Sequence, residues 1–338
     1  MNIIKTADLH LTDGKADQYK WDFFPWLERH ILKNKVDRLD ILGDLTEKKD
    51  QHKSDLTNKI VNALVSLSEK CEILFLQGNH DYIEQSSPFF QFLKYIPNIT
   101  FIKEPTVIGE ELFLPHARDP VKEWGWEKLL KKINTFHTIN MHQTVVGSKV
   151  PNGFSLDKGM SKDFFSSFDG WVYSGDIHMP QEDNGVEYIG SPYPVYFGDD
   201  FQGRVILIED GDDYDLEYPC LKKWSIKIKD PIDLEEIDFQ EGDQVKITIE
   251  LHPTYFPDWP AIKKEVKSYC QKEGVQLFGL KMIPEKIKVG RVRRAQKSGN
   301  KKKIESPDII LGRFIDNENL DSRHRKKAEG IMGIDIGI

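Results

Sequence analysis

Short apolar or β-rich runs recur along the first half of the chain: Ile3-Ile4, Leu39 to Leu42, Ile73 to Leu76, Ile139 to Met141 and Trp171 to Tyr173. Between them the apolar positions switch to helical spacing, with Phe23, Leu27 and Ile31 on one face and Leu56, Ile60, Leu64 and Leu67 on another. Short continuous runs separated by helical periodicity predict buried parallel strands in βαβ units. After the turn cluster Asp210-Gly211-Asp212-Asp213 the pattern changes. Val245, Ile247, Ile249 and Leu251 alternate with Lys246, Thr248 and Glu250, which predicts a half-buried strand. Trp259, Ile262, Val266 and Tyr269 then mark a helix, and Val275 to Ile283 reads as a returning strand. The chain thus divides into an α/β domain over 1–215, a small α+β module over 222–286 and a tail over 287–338.

Each apolar run is closed by a short polar motif. In order these are Asp8-Leu9-His10, Gly43-Asp44, Gly78-Asn79-His80-Asp81, Met141-His142 and Gly175-Asp176-Ile177-His178. Taken singly, each reads as an ordinary turn or N-cap after a strand. Taken in order they line one rim, because ligands of open α/β sheets sit at the carboxyl ends of the strands. The donors are carboxylates, imidazoles and one amide oxygen, with no thiolate. That set suits manganese or iron, with zinc or magnesium as alternatives, better than a closed structural zinc site. Its size suits two metals, which can hold a bridging hydroxide and clamp an in-line displacement at phosphorus. His80 is placed to serve the leaving oxygen.

This ordered set resembles the signature of the calcineurin-like metallophosphoesterases. Within them, Tyr188-Ile189-Gly190-Ser191-Pro192 followed by Tyr196-Phe197-Gly198-Asp199 is similar to a stretch of the SbcD-type DNA double-strand-break repair nucleases, phage recombination endonuclease subunits included. The resemblance implies two facing sheets flanked by helices, with residues 222–286 as a capping domain over DNA. It assigns Asp8, His10, the bridging Asp44 and His178 to a first metal, and Asp44, Asn79, His142 and Asp176 to a second. It also implies manganese-dependent exonuclease action on duplex ends, endonuclease action on single strands, a homodimer built from helices near Leu56 to Leu67 and Phe89 to Tyr95, and an SMC-like ATPase partner of the SbcC type. The tail from Ile304 would dock on that partner. Two positions depart from the family pattern: Asp176 stands where most members carry His, and Glu47 where relatives carry Asp or His. Three residues beyond Asp44, the Glu47 carboxylate is expected to hold His80 in its working tautomer. His116 is read as structural or substrate-facing, and His52 and His137 as surface residues.

The net charge of −8 changes the picture only once it is localised. Residues 286–303 carry nine Lys or Arg and no acid, a run suited either to DNA phosphates and acidic partner surfaces or to a solvated linker. A hydrophobic content of 39% supports a core, and no run approaches the roughly 18 apolar residues of a membrane span. Met1 to Lys5 leads straight into the first strand, without the anatomy of a signal peptide. Cys71, Cys220 and Cys270 are far apart and odd in number, which points to reduced thiols in a cytosol, and the resemblance implies that of a bacterium or a phage-infected host. Two other readings stay open: a DNA-end-binding scaffold with an impaired site, and a phosphatase or phosphodiesterase acting on small substrates.

Overall fold

The computed structural model describes residues 1–150 and 153–285. Strands follow one another as β1 (Ile3–Thr6), β2 (Arg38–Leu42), β3 (Glu72–Leu76), β4 (Ile99–Ile102), β5 (Thr106–Ile108), β6 (Glu111–Leu114), β7 (Thr138–His142) and β8 (Trp171–Gly175). They continue as β9 (Gln181–Asp183), β10 (Val186–Tyr188), β11 (Arg204–Glu209), β12 (Asp212–Glu217), β13 (Lys223–Ile228), β14 (Gln244–Leu251) and β15 (Gln276–Pro284). Among the described residues these form two six-stranded sheets, ordered β12-β11-β1-β2-β3-β4 and β5-β6-β7-β8-β10-β9, and a three-stranded sheet β13-β14-β15. The architecture is the α/β two-sheet sandwich expected from the sequence.

The apolar runs are the inner strands. Every residue of β1 and of β2 is buried, as continuous runs of this kind require when both faces are covered. Helices α1 (Phe23–Lys33) and α2 (Ser54–Ser68) cover the first sheet. Their predicted stripes, Phe23, Leu27 and Ile31 on one and Leu56, Ile60, Leu64 and Leu67 on the other, lie within one apolar core. Phe89–Tyr95 is a 3-10 segment that buries Phe90 and Leu93 in the same core.

A closed polar network ties the two large sheets together. Lys5 on β1 donates to Asp40 on β2 (2.6 Å) and to Asn140 on β7 (2.8 Å). Asn140 donates to Glu111 on β6 (2.8 Å), and Arg38 on β2 bonds both Glu111 (2.6 Å) and Asp40 (2.7 Å). Lys5, Asp40 and Asn140 are fully buried, so every charge in the network has its partner at hand.

The C-terminal module is built as its pattern predicts. Strand β14 spans Gln244–Leu251, the helix Trp259–Lys272 follows, and β15 returns parallel to β14. Val245, Ile247, Ile249 and Leu251 pack with Val266 and Cys270 of that helix. The cysteines are free thiols. No helix among the described residues is long and apolar enough to cross a membrane. The basic run 286–303 and the tail lie outside the described residues.

Candidate metal centre

The chain turns sharply where β1, β2, β3, β7 and β8 end, and the motif residues sit on those turns. Asp8, His10, Asp44 and Asp176 all have positive φ, at 54°, 41°, 55° and 81°. Such backbone is uncommon for residues other than glycine and gathers at functional sites, where surrounding bonds hold it. Those bonds are visible here: Asp8 N–H donates to Gly43 O (3.1 Å) and His10 N–H to Asp44 O (3.0 Å). Gly43 must be glycine. Its φ is +90°, and a Cβ there would overlap the His142 ring and stand 2.8 Å from Gly78 Cα.

The two sheets bring their strand ends to one seam. From the first come Asp8, His10, Asp44, Asn79 and His80; from the second come His142, Asp176 and His178. Asp8, His10, Asp44 and His142 are at most 2% exposed. Asp44 lies at the centre, with Oδ2 3.5 Å from His10 Nε2 and Oδ1 3.4 Å from His142 Nε2. His10 Nε2 and His178 Nε2 are 3.0 Å apart. Ligands at right angles around a metal with bonds of about 2.1 Å stand about 3 Å apart, so this spacing fits a shared ion. Asp8, His10 and His178 converge in one group, Asp8, Asp44 and His142 in a second, and His10, Glu47 and His80 in a third, with ligand atoms in each within 4.8 Å of one another.

The histidines are held from behind. His142 Nδ1–H donates to Leu42 O (2.7 Å), which leaves Nε2 aimed into the seam. His10 Nδ1 faces Glu47 Oε2 at 2.9 Å, and the Tyr196 hydroxyl donates to that same carboxylate (3.1 Å). Glu47 meets two histidines by different atoms. His80 Nδ1–H donates to the Glu47 main-chain carbonyl (2.7 Å), while the Glu47 carboxylate serves His10. The strand-end turn brings Glu47 back over the first strand's loop (Glu47 N–H donates to Leu11 O, 3.3 Å), which is why its side chain meets His10.

Three buried acceptors in the seam, Asp8 Oδ2, Asn79 Oδ1 and His142 Nε2, have no hydrogen-bond partner, and His10 Nδ1 meets Glu47 Oε2 as an ion-pair contact without one. Buried polar atoms are normally satisfied, and three converging lone pairs are what divalent cations fill. Negative charge is concentrated at the seam: against burial, Asp44, Asp8 and Asp176 hold the His142 imidazole well above its usual range. Burial, with Asp44 and Asp176 nearby, pushes the Asp8 carboxyl well above its usual range. Burial opposes ionisation of Asp44 as well, yet His142, His10 and His80 hold its carboxyl below the ordinary range. His178 is driven down to about 3 by burial and by His10 beside it. The donor set therefore fits two divalent ions.

Asp176 belongs to none of the three groups. Its Oδ1 lies 3.8 Å from His142 Nε2 and accepts from Asn79 Nδ2 (3.3 Å), while the Thr144 hydroxyl donates to Oδ2. Two further residues went unassigned in the sequence reading. Asp81, the last residue of its motif, accepts the N–H groups of Gly78 (2.7 Å), Asp44 (2.9 Å) and Leu45 (3.0 Å), and so shapes the turns that carry Asp44 and Asn79. Tyr196 stands at the mouth, 46% exposed, with its ring 5.3 Å from that of His178. Nothing in the spacing marked either. His116 lies 6.2 Å from the His142 ring and accepts from or donates to the Tyr82 hydroxyl at 2.8 Å. His137 is exposed beside Glu110, whereas His52, expected at the surface, is half-buried against Phe89 and Phe90.

A paired-metal seam between two such sheets is the arrangement of a metallophosphoesterase. Residues 1–189 match the calcineurin-like phosphoesterase family, and the chain belongs to it. The uncharacterized protein R555 of Acanthamoeba polyphaga mimivirus is 23% identical over 235 residues, which is 61% of this chain and 17% of that one. The chain thus spans only a small part of that relative's length. Among solved structures, nuclease MPE of Pseudomonas putida is 15% identical with a TM-score of 0.30, covering 63% of this chain and 87% of its own. A dimetal phosphatase from Danio rerio is 11% identical with a TM-score of 0.37, covering 65% and 99%. GAP50, the anchor in the inner membrane complex of Plasmodium, is 12% identical with a TM-score of 0.37, covering 66% and 90%.

Proposed function

We propose that this chain is a two-metal nuclease of the SbcD type that processes DNA ends, working as a homodimer with an SMC-like ATPase subunit. The observation that carries the reading beyond a generic phosphoesterase is the module beside the site mouth. Phe278 stands at the bulge where β15 slips against β14, and its ring lies 5.7 Å from that of Phe197, the residue after Tyr196. Lys246 Nζ lies 4.1 Å above the Phe197 ring. A mouth flanked by aromatic rings and an ammonium on a second module suits a polymer with bases and phosphates better than a small ester.

In this reading Asp8, His10, Asp44 and His178 hold one ion, and Asp44, Asn79, His142 and Asp176 the other. Bound there, two divalent cations, manganese or magnesium, would supply Lewis acidity and an activated water for attack at phosphorus. The protein's own part is orientation and proton delivery. Leu42 O and Glu47 fix the rings of His142 and His10. The Glu47 main-chain carbonyl, accepting from Nδ1–H, orients the His80 ring and leaves Nε2 as the atom that would deliver a proton to the leaving oxygen. His80 N–H donates to Asp44 Oδ1 (2.7 Å), which ties that acid to the bridge.

The test is Mn2+-dependent degradation of a linear DNA duplex and of bis-p-nitrophenyl phosphate, by the wild type, His80→Ala and Asp176→Ala, with and without an SMC-like ATPase. DNA cleavage that falls in both variants supports the proposal. Hydrolysis of the small ester with intact DNA replaces it with a small-substrate phosphodiesterase, and tight DNA binding without cleavage by the wild type replaces it with a scaffold.

A further inference from the structure

We infer that Asp17 is a positioning residue that couples the docking of the C-terminal module to the first metal site, an inference that rests on the reading of His10 as a metal ligand. His10 has a φ of 41°, which turns its carbonyl out of the sheet ladder, where it needs another donor. That donor is Lys20, whose Nζ lies 2.8 Å from His10 O. Lys20 is 2% exposed and has Asp17 as its acid, at 3.7 Å. Asp17 is held in turn by the Thr12 hydroxyl (2.7 Å) and by Lys223 Nζ (2.9 Å). Lys223 is the first residue of β13, in the C-terminal module, and is itself 5% exposed.

The same ammonium reaches the other side of the mouth. Lys223 Nζ donates to Val195 O (3.1 Å), one residue before Tyr196, whose hydroxyl holds the Glu47 carboxylate against His10 Nδ1. One buried cation of the module therefore reaches His10 twice. It acts on the main-chain carbonyl through Asp17 and Lys20, and on the ring through Val195, Tyr196 and Glu47. Gln244 of β14 adds a bond to Ala16 O (2.6 Å), so the segment that carries Asp17 is clasped at two points. A shift of the module must move or break these contacts, because two buried ammonium groups share one carboxylate. Shells of this kind set the orientation of metal ligands.

The experiment is a calorimetric titration of the full chain with Mn2+, with the electron paramagnetic resonance signal of bound Mn2+ recorded alongside. Wild type, Asp17→Asn, Lys223→Met and an exposed control, Lys264→Met, are compared. We expect two ions in the wild type and in the control. In Asp17→Asn and in Lys223→Met, one of the two should bind about tenfold more weakly, with an altered spectrum. The double variant should lose no more than either single one. Asp17→Asn leaves two buried ammoniums facing a neutral amide, and if it does not fold, Lys223→Met alone decides. Unchanged affinities in the folded variants, with only the melting temperature lowered, reduce the contacts to a structural staple and overturn the inference. A wild type that binds no Mn2+ overturns the metal reading itself.

Discussion

Thr144→Val probes Asp176, which stands where the resemblance leads one to expect His. The change keeps the shape of the side chain and removes the hydroxyl that donates to Asp176 Oδ2. Asp176 is mostly buried, with a side chain 14% exposed, so water does not simply replace the lost donor. With that bond in place the carboxylate has one outer oxygen occupied and Oδ1 turned toward His142 Nε2 at 3.8 Å, offering a single donor as an imidazole would. A hydrogen bond to a charged group contributes about 1.5–3 kcal/mol, or roughly 10- to 100-fold in an equilibrium constant. Part of that is recovered when the ion itself orients the carboxylate, so about tenfold weaker binding of the second Mn2+ is expected, with the first unchanged. Calorimetric titration of wild type, Thr144→Val, Thr144→Ser and Asp176→Ala separates the cases. Serine should restore the affinity and alanine at 176 should abolish the second site. If Thr144→Val binds as the wild type does while Asp176→Ala loses an ion, the hydroxyl does not position the carboxylate. If Asp176→Ala still binds two ions, position 176 is not a ligand at all.

Three further outcomes are expected. Glu47→Gln should weaken Mn2+ binding beside His10 while leaving the pH–rate profile close to that of the wild type, since His80 is held by the main chain; a displaced profile would restore the carboxylate–His80 pairing. Burial and the neighbouring His142 draw His116 down to about 4, so it stays neutral in the fold while the unfolded chain takes up a proton near pH 6.5. Stability must then fall as the pH drops, and denaturant titrations at pH 7 and pH 5 should show His116→Gln losing about 2 kcal/mol less than the wild type across that interval. Mn2+ at about 100 times its dissociation constant should add about 2.7 kcal/mol of stability for each ion bound, and the gain should vanish with EDTA, a shift that calorimetric melting reads directly.

What could be read from the chain follows from how strongly each feature is patterned. Strands β1, β2, β3, β7 and β8 are mostly buried, so short clusters of apolar and β-branched residues mark them even where Lys5, Asp40 or Asn140 interrupts. Strand β12, Asp212 to Glu217, is mostly exposed and acidic, and its sequence looked like a turn. Strands β9 and β10 are three residues each, too short for any period to register. At the site, motif order was enough to gather Asp8, His10, Asp44, Asn79, His142 and His178, because each follows a strand and parallel strands end on one side. Spacing could not choose between two histidines for Glu47, since its main chain and its side chain reach different rings. Lys20 and Asp17 carried no signal either, because a lysine needed by a left-handed carbonyl looks like any other lysine in sequence.

The seam between the sheets also has a bearing on how such a protein can be rearranged. Some candidate ligands are borne by one sheet and some by the other, and the offset between the sheets is held in part by Lys5, Arg38, Asp40, Glu111 and Asn140. Metal sites tolerate errors of only about 0.2 Å in ligand distance. A chimera taking its first sheet from this chain and its second from a relative could carry a complete set of aspartates and histidines and still present them out of alignment. For recombination, natural or engineered, the inherited unit is therefore the ligand set together with the five residues of that network.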